Sequence, residues 1–224
     1  MSHSTLCALL LATPGLEGLA PYADRLTGDL QALAELLGRF GAGPVTPEAT
    51  YDLEQCLAGR ARALARDLLE GLLNRLESDG SPQAPVRLCH EGGRYRRRGK
   101  TPNAVATLFG PVTLRRLLYE PLAPGEKCLH PLERRLGLVA GCASPALAER
   151  AGLACASEPQ RAALARLARE HDVCWSVKTY RTVTAALAAG LAEQRQPAQG
   201  GQDALCAVFG SPTLPIFQEA LRRR

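Results

Sequence analysis

Side chains that could bind nucleic acid occur at the start of one predicted helix, Ser176–Gly190. Lys178, Arg181 and Thr182 fall on its first two turns and point away from its apolar face. Lysine and arginine neutralise phosphates, and arginine can donate two hydrogen bonds to guanine in the major groove. The residue types and their spacing therefore predict a helix that reads base edges or contacts adjacent phosphates.

The residues around this helix predict a helix-turn-helix. Ser157 is expected to cap a preceding helix that ends near Asp172, and Ser176 is expected to cap the second helix. Tyr180 and Val183, three residues apart, begin the inner face of the second helix. A short helix, a tight turn and a second helix with outward basic residues is the layout of DNA-binding helix-turn-helix proteins. An ordinary helical hairpin in an all-α domain is the alternative.

A second concentration of positive charge lies in the polar stretch Cys89–Lys100 and in a strand that follows it. We expect a basic loop that contacts the phosphate backbone without reading sequence, whereas a loop that is merely solvated is the alternative. The candidate residues are Arg94, Arg96, Arg97, Arg98, Lys100, Arg115 and Arg116. The last two are neighbours on a strand, so at least one of them should face solvent.

The charge of the chain is unevenly distributed. Residues 1–85 contain 6 Lys/Arg and 11 Asp/Glu, whereas residues 86–135 contain 11 and 4. An acidic first third followed by a basic remainder predicts a polyanionic partner for the basic part. Apolar residues make up 46% of the chain but aromatic residues only 4%, and the abundant leucine and alanine favour helices.

The first helices carry leucines at alternating spacings of three and four. One helix is predicted over residues 22–40 and a second over residues 46–78. Gly59 and Gly71 lie inside the second helix, where each predicts a bend or close packing. The two helices can fold against each other, or residues 22–76 can pair with a second copy of the chain to form a homodimer.

The middle of the chain contains the β-strand signals. Ala104–Phe109 and Val112–Tyr119 are rich in apolar and β-branched residues and are separated by Gly110-Pro111, which predicts a β-hairpin. A short helix is predicted at Leu132–Leu138. A further helix that begins after Ser144 would complete a three-helix unit with the helix-turn-helix.

These signals together predict the fold class and its division into regions. The class is mainly α, with an N-terminal helical hairpin, a small β-hairpin and a three-helix helix-turn-helix bundle. The regions are an acidic helical region (1–79), a basic loop and β-hairpin region (86–140), a helix-turn-helix DNA-binding region (141–194), and a linker with a poorly ordered tail (195–224).

The cysteines predict neither a disulfide framework nor a metal site. Eight cysteines are scattered without any C-x-x-C, which fits a reducing cytoplasm. Cys89, His90, Cys128 and His130 are the only candidates for zinc, which needs four ligands within tetrahedral reach. We therefore expect no cofactor. No apolar run approaches the ~20 residues of a membrane span, and the first apolar run lacks the preceding charge of a signal peptide.

Four pieces of the sequence occur in an order that resembles a known family. An acidic, leucine-rich helical start is followed by TLFGPVTLRR, then HPLERRLGL, then the pattern S…AA..L…S..T..R. The pieces lie at Thr107–Arg116, at His130–Leu138, and at Ser157, Ala162, Ala163, Leu164, Ser176, Thr179 and Arg181. Over about residues 50–190 the chain resembles the N-terminal half of bacterial insertion-sequence transposases of the Kra type. The resemblance implies binding of double-stranded element DNA in transposition.

The chain departs from this family in two places. Relatives carry a C-x-x-C after the hairpin, where only Cys128 and His130 stand here. Relatives also continue into a ribonuclease-H-like domain whose acidic residues bind two divalent metals such as Mg²⁺. Asp203 alone cannot build such a site. The expectation is a truncated transposase without chemistry of its own, and the alternative is a helical protein-interaction or oligomerisation module that does not bind DNA.

Overall fold

The computed structural model describes residues 3–13, 16–77 and 84–195. The chain divides into two compact units, residues 1–187 and residues 188–224, and only the end of one helix is described in the second unit. The poorly ordered tail expected beyond residue 195 lies outside the described residues.

The described residues form seven α-helices, one 3₁₀ helix and one three-stranded antiparallel sheet, so the protein is mainly α with some β. The helices and strands, in chain order, are α1 (His3–Ala12), the 3₁₀ helix (Glu17–Tyr22), α2 (Ala23–Ala42), α3 (Pro47–Arg75), β1 (Arg87–His90), β2 (Gly93–Thr107), β3 (Gly110–Pro121), α4 (Pro131–Arg135), α5 (Pro145–Ser157), α6 (Gln160–His171) and α7 (Val177–Arg195).

The two long helices α2 and α3 begin where the sequence predicts. Thr46 caps α3, because its side-chain oxygen accepts a hydrogen bond from the N–H of Ala49 at 3.1 Å. Leu26 of α2 is buried in a cluster to which Leu64 and Leu68 of α3 contribute. Leucines farther along α2, such as Leu37, stay largely exposed. The leucine pattern is therefore buried within the chain only near the start of α2.

The basic stretch 94–100 is a strand, so the prediction of a basic loop is wrong. β2 pairs with β1 on one side and with β3 on the other, with a bulge between Arg97 and Gly99. β1 pairs with residues 93–96 and β3 pairs with β2 from Tyr95 onward, and Tyr95 anchors the stretch in a core cluster. A run of arginines has no apolar alternation, so sequence periodicity could not reveal the strand.

The turn of the β2–β3 hairpin lies two residues before its predicted place. Thr107 pairs with Gly110, which leaves Leu108 and Phe109 as the turn residues. The hydroxyl of Thr107 donates to the C=O of Gly110 at 2.6 Å and accepts from the N–H of Phe109 at 3.2 Å. Gly110 has φ +110°, which glycine adopts without a steric penalty. The predicted turn at Gly110-Pro111 is therefore a strand start.

Burial changes from one face of the sheet to the other along β3. Near the hairpin turn, Val112 and Leu114 are buried against α4. Farther along, Leu117 and Tyr119 are buried in a different cluster. Because alternate residues of a strand point to opposite faces, these pairs lie on opposite sides of the sheet. The fully buried side chains of β3 thus change face between Leu114 and Leu117.

The outer edge of β3 is closed by side chains of α3. The Asn74 side chain donates from Nδ2 to the C=O of Thr113 at 2.9 Å and accepts from the N–H of Arg115 at 2.6 Å. Glu70 accepts from the N–H of Thr113 at 2.8 Å. The Asn74 amide thus imitates a residue of a fourth strand and satisfies edge groups that would otherwise pair with another chain.

The helical part that follows is joined to the sheet through β2 and its turn. The N–H of Ala106 donates to the C=O of Cys142 at 2.8 Å, and the N–H of Ser144 donates to the C=O of Ala106 at 2.9 Å. Nδ1 of His171 donates to the C=O of Leu108 at 2.9 Å. The sheet therefore contacts both the start of α5 and the end of α6.

Helices α5, α6 and α7 share a core made largely of alanine. Ala148, Ala151, Ala154 and Ala163 are fully buried, and Val183 closes the core from α7. Small side chains let the helix backbones approach closely, and the space left for each side chain is correspondingly small.

Ser157 does not cap α6, which corrects the sequence-based prediction. It belongs to the last turn of α5, and its hydroxyl donates to the C=O of Leu153 at 2.8 Å. The residue before α6 is Pro159, which caps the helix without a side-chain hydrogen bond. Because its hydroxyl bonds the preceding turn of α5, it accepts no hydrogen bond from the first N–H groups of α6.

The two glycines inside α3 should respond oppositely to alanine. A Cβ at Gly71 would lie 2.5 Å from Leu19 Cδ2 and 3.1 Å from the Tyr22 ring, whereas a Cβ at Gly59 meets nothing within 4 Å. Gly71→Ala should lower the free energy of unfolding by about 1–3 kcal/mol through overpacking. Gly59→Ala should raise it by up to ~1 kcal/mol. Chemical denaturation measures both, and equal stabilisation by the two changes would contradict the close packing at Gly71.

Amide hydrogen exchange should report separately on each hydrogen bond between α3 and the outer edge of β3. Asn74→Ala removes the acceptor of the Arg115 N–H but leaves the Glu70 carboxylate that holds the Thr113 N–H. The Arg115 amide should therefore exchange faster in Asn74→Ala, and the Thr113 amide faster in Glu70→Ala. If neither amide responds, or both respond equally to either change, α3 does not close the edge as described.

Candidate nucleic-acid interface

The start of α7 is set by a left-handed turn and a serine cap. α6 ends at Asp172, whose φ is +53°, and the following Val173 is buried as an anchor of the turn. Ser176 caps α7, because its Oγ accepts a hydrogen bond from the N–H of Thr179 at 3.0 Å. The predicted cap at Ser176 is confirmed.

The inner face of α7 is fixed by a buried tyrosine. The Tyr180 hydroxyl donates to the C=O of Ala151 in α5 at 3.1 Å, and Val183 is fully buried one turn later. Burial, with a smaller effect of Cys155, raises the pKa of Tyr180 to about 12. Tyr180 therefore remains neutral and acts as a structural donor that fixes the rotation of α7 about its axis.

The outer face of the first α7 turns carries the predicted residues Lys178, Arg181 and Thr182, and all three are exposed. We call these three residues the helix surface. Thr182 Oγ1 donates to the C=O of Lys178 at 2.9 Å. Arg181 Nη2 donates to Gln160 Oε1 at 3.3 Å, so the first turn of α6 helps to hold this guanidinium.

A second basic surface lies on β1 and β2. Arg94 and Arg96, two residues apart on β2, share a face of the sheet, and Arg87 of β1 lies opposite Arg96 in the strand register. All three are exposed, and none has a carboxylate partner among the described residues. Arg98, beside the bulge, donates from Nε to Glu120 at 2.5 Å. We call Arg87, Arg94, Arg96 and Arg98 the strand surface.

Sequence reasoning missed Arg87. Its strand was not predicted, because β1 has four residues and no turn signal other than Gly92-Gly93 after it. Only the pairing of β1 with β2 brings Arg87 beside Arg96. Glu91 and Gly92 form the turn, both with positive φ, and Gly92 was the one available signal of a tight hairpin.

Two of the predicted phosphate contacts serve inside the chain instead. Arg97 is half-buried and donates from Nη1 to the C=O of Ala84 at 2.8 Å. Arg116 forms an ion pair with Glu133 of α4, and both side chains are less than one-fifth exposed. Neither guanidinium is presented to solvent as those of Arg94 and Arg96 are.

Lys100 and Arg115 are exposed but lie on the other face of the sheet from Arg96. The bulge after Arg97 shifts the alternation, so that Lys100 pairs with Leu117 and shares the face of Arg115. Both line a groove of about 580 Å³ next to α3. The five candidates of the predicted loop and the two of the following strand therefore divide among two faces of the sheet and the interior.

The distance along β2 relates the strand surface to the helices. Arg96 precedes Ala106 by ten residues of one strand, and Ala106 is bonded to Ser144 at the start of α5. Because the bulge places Arg96 opposite Glu120 and Ala106 opposite Pro111, the stretch spans nine residues of β3, or about 30 Å at ~3.3 Å per residue.

The candidate zinc ligands do not assemble. Within residues 3–13, 16–77 and 84–195, no three His, Cys, Asp or Glu side chains come close enough to hold a metal ion. Nδ1 of His130 donates to the C=O of Leu117 at 3.2 Å, and burial, helped by Arg116, lowers the pKa of His130. His90 contacts Glu91 and Arg134. Among the described residues, no helix combines the length and the apolarity that crossing a bilayer requires.

Comparison with known proteins returned no match to a family model, a curated protein or a solved structure. The resemblance to transposases of the Kra type therefore stays a prediction that depends on the quoted motifs.

Alanine substitutions of the neighbours Arg115 and Arg116 should differ in their effect on stability, because only Arg116 forms a largely buried ion pair. Arg116→Ala removes the partner of the covered Glu133 carboxylate, which would keep only the Asn103 amide, and should lower the free energy of unfolding by about 1–3 kcal/mol. Arg115→Ala removes an exposed side chain and should change it by less than about 0.5 kcal/mol. Thermal or chemical denaturation measures the free energy of unfolding of both variants. Equal losses in the two variants would contradict the structural role of Arg116.

Proposed function

We propose that the chain binds double-stranded DNA by inserting the start of α7 into the major groove. The observation that supports this proposal is that the first turns of α7 are buried on one side and exposed, with basic residues, on the other. Tyr180 and Val183 hold the helix from below, and the helix surface faces solvent with one lysine, one arginine and one hydroxyl. Helix-turn-helix proteins present the N-terminal residues of their second helix to base edges in this way.

In this proposal α6, the turn and α7 form the helix-turn-helix, with α5 as the third helix of its bundle. Arg181 is the residue suited to read a base, because its guanidinium can donate two hydrogen bonds to guanine O6 and N7. The bond from Arg181 to Gln160 limits the rotamers it must give up on binding. Lys178 and Thr182 would contact phosphates or base edges beside it.

The strand surface would hold the DNA backbone without reading sequence. Arg87, Arg94 and Arg96 are exposed cations without acidic partners in the described part of the chain. The acidic region 1–79, which has 11 Asp/Glu and 6 Lys/Arg, would face away from the DNA, because like charges repel.

This function agrees with what the resemblance to Kra-type transposases implies, namely recognition of element DNA. The seven described cysteines are free thiols, which supports a reducing compartment such as the bacterial cytoplasm, where DNA is also found. We assign no catalytic step and no metal to the described residues.

Arg181→Ala should abolish discrimination between DNA sequences but not binding itself. Loss of one bidentate guanine contact is worth about 1–3 kcal/mol of discrimination. Affinity for a site obtained by in vitro selection should therefore fall close to that for a scrambled duplex, whose own affinity should stay within about twofold. Fluorescence anisotropy with both duplexes measures this, and Arg39→Ala, an exposed arginine on α2, is the charge-matched control.

The double change Arg94→Ala and Arg96→Ala should weaken binding to every duplex alike. Each lost phosphate contact should reduce the slope of log affinity against log salt by about 0.9, so the slope should flatten by nearly two. Wild-type affinity that does not change with salt, or no binding at low salt, overturns the proposal. If Arg181→Ala and the double change cause the same loss on both duplexes, α7 does not read the groove.

A further inference from the structure

One apolar side chain interrupts the polar outer surface at the start of α7. Val177 is the first residue of this helix, and it is 47% exposed. In the part of the chain that the structure describes, no buried apolar cluster includes Val177, whereas Trp175 just before it packs against two of them. The core of the helical bundle therefore does not account for a valine at this position.

Helical geometry places Val177 beside Arg181. Four residues turn an α-helix by about 400°, so the two side chains differ by only about 40° in direction and by ~6 Å along the axis. Val177, Lys178 and Arg181 are all exposed. The helix surface thus has an apolar neighbour at the first residue of α7, the end that helix-turn-helix proteins bring to the base edges.

The side chain of Gln160, at the start of α6, contacts both residues. Its Oε1 accepts a hydrogen bond from Arg181 Nη2 at 3.3 Å, and its Nε2 donates to the C=O of Val177 at 3.5 Å. The two bonds use opposite ends of one amide group, so each supports the orientation that the other requires. The guanidinium of Arg181 is therefore held in a fixed position relative to the backbone of Val177, and both would meet DNA at a set spacing.

The major groove offers a valine one complementary group. The base edges there present hydrogen-bond donors and acceptors, and thymine alone adds an apolar group, the methyl at C5. The isopropyl group of valine neither donates nor accepts a hydrogen bond. Placed against any other edge, it would remove water from polar base atoms without replacing the lost hydrogen bonds, which costs free energy. Contact with a thymine methyl group buries apolar surface on both sides instead.

We propose that Val177 recognises a thymine by packing its isopropyl group against the C5-methyl group in the major groove. This inference rests on the proposed entry of α7 into that groove, and it adds a second base to the guanine assigned to Arg181. The two residues are separated by ~6 Å along α7, and successive base pairs are about 3.4 Å apart, so the thymine lies roughly one or two base pairs from the guanine.

The neighbours of Val177, and not its exposure alone, support this role. Val45 is more exposed, at 75%, but it lies before α3 in the acidic region, where DNA is repelled. Val177 is followed by the exposed Lys178 and, one turn later, by the exposed Arg181. Both cations attract phosphates and polar base edges, so they would bring the groove against the valine and cover it.

Removal of single methyl groups from the DNA tests this inference. In a site obtained by in vitro selection with the full chain, each thymine is replaced in turn by deoxyuridine, which lacks only the C5-methyl group. Fluorescence anisotropy measures the affinity of each duplex. At one thymine, within about two base pairs of the guanine at which Arg181→Ala loses discrimination, the wild type should bind about fourfold more weakly, which is the contribution of one buried methyl group.

Val177→Ser should remove this dependence on the methyl group. Serine is favoured near helix starts, so the variant should fold, and it should bind the thymine and deoxyuridine duplexes equally. Val45→Ser is the matched control, because it makes the same change at an exposed valine away from α7, and it should keep the full response. Helicity by circular dichroism and the thermal midpoint show that both variants fold.

Three results would overturn recognition of thymine by Val177. They are a selected site without thymine within about two base pairs of that guanine, no response of the wild type to deoxyuridine, or an equal response in the wild type and Val177→Ser. If Arg181→Ala still loses discrimination in these cases, groove binding by α7 stands and only the role of Val177 fails. A wild type that binds the selected and scrambled duplexes equally contradicts groove reading itself, and this inference with it.

Discussion

The hydrogen bonds between α3 side chains and the outer edge of β3 are the constraint on which the rest of the structure depends. A strand edge must satisfy its N–H and C=O groups, and here Asn74 and Glu70 do so within the chain. They fix the position of α3 along the sheet, and α3 in turn positions α2 through the cluster around Leu26. On the opposite strand, the bonds of Ala106 fix the start of α5. One small sheet thus positions both helical parts of the first unit.

The helices of this fold could be predicted from the sequence, because their signals are local. Caps such as Thr46 and Ser176 form hydrogen bonds within three residues, and leucine spacing reports the buried side of each helix. The basic strand could not be predicted in the same way. Its stability comes from pairing with β1 and β3, and from Tyr95 packing against residues distant in sequence. Tertiary contacts determine the conformation of a segment whose local sequence favours neither a helix nor a strand.

The candidate site was predictable to a similar degree. Residues of α7 such as Arg181 were assigned to the outer face from helical periodicity, and the structure places them there. The roles of Arg97 and Arg116 were not predictable, because an arginine that meets a backbone carbonyl or a glutamate reads the same in sequence as one that meets solvent. The bulge after Arg97 also reverses the face of every later residue on β2, and no composition rule reveals a bulge.

The alanine core of α5, α6 and α7 restricts how this part of the chain can change over generations. Ala148, Ala151, Ala154 and Ala163 are completely enclosed, so a larger side chain at any of them would force the helices apart. The only smaller residue is glycine, which destabilises a helix. Substitutions on the outer turns of α7 meet neither restriction. Lineages of this sequence should therefore conserve the interior alanines while the outward residues diverge, so that one scaffold can acquire new binding preferences without repacking.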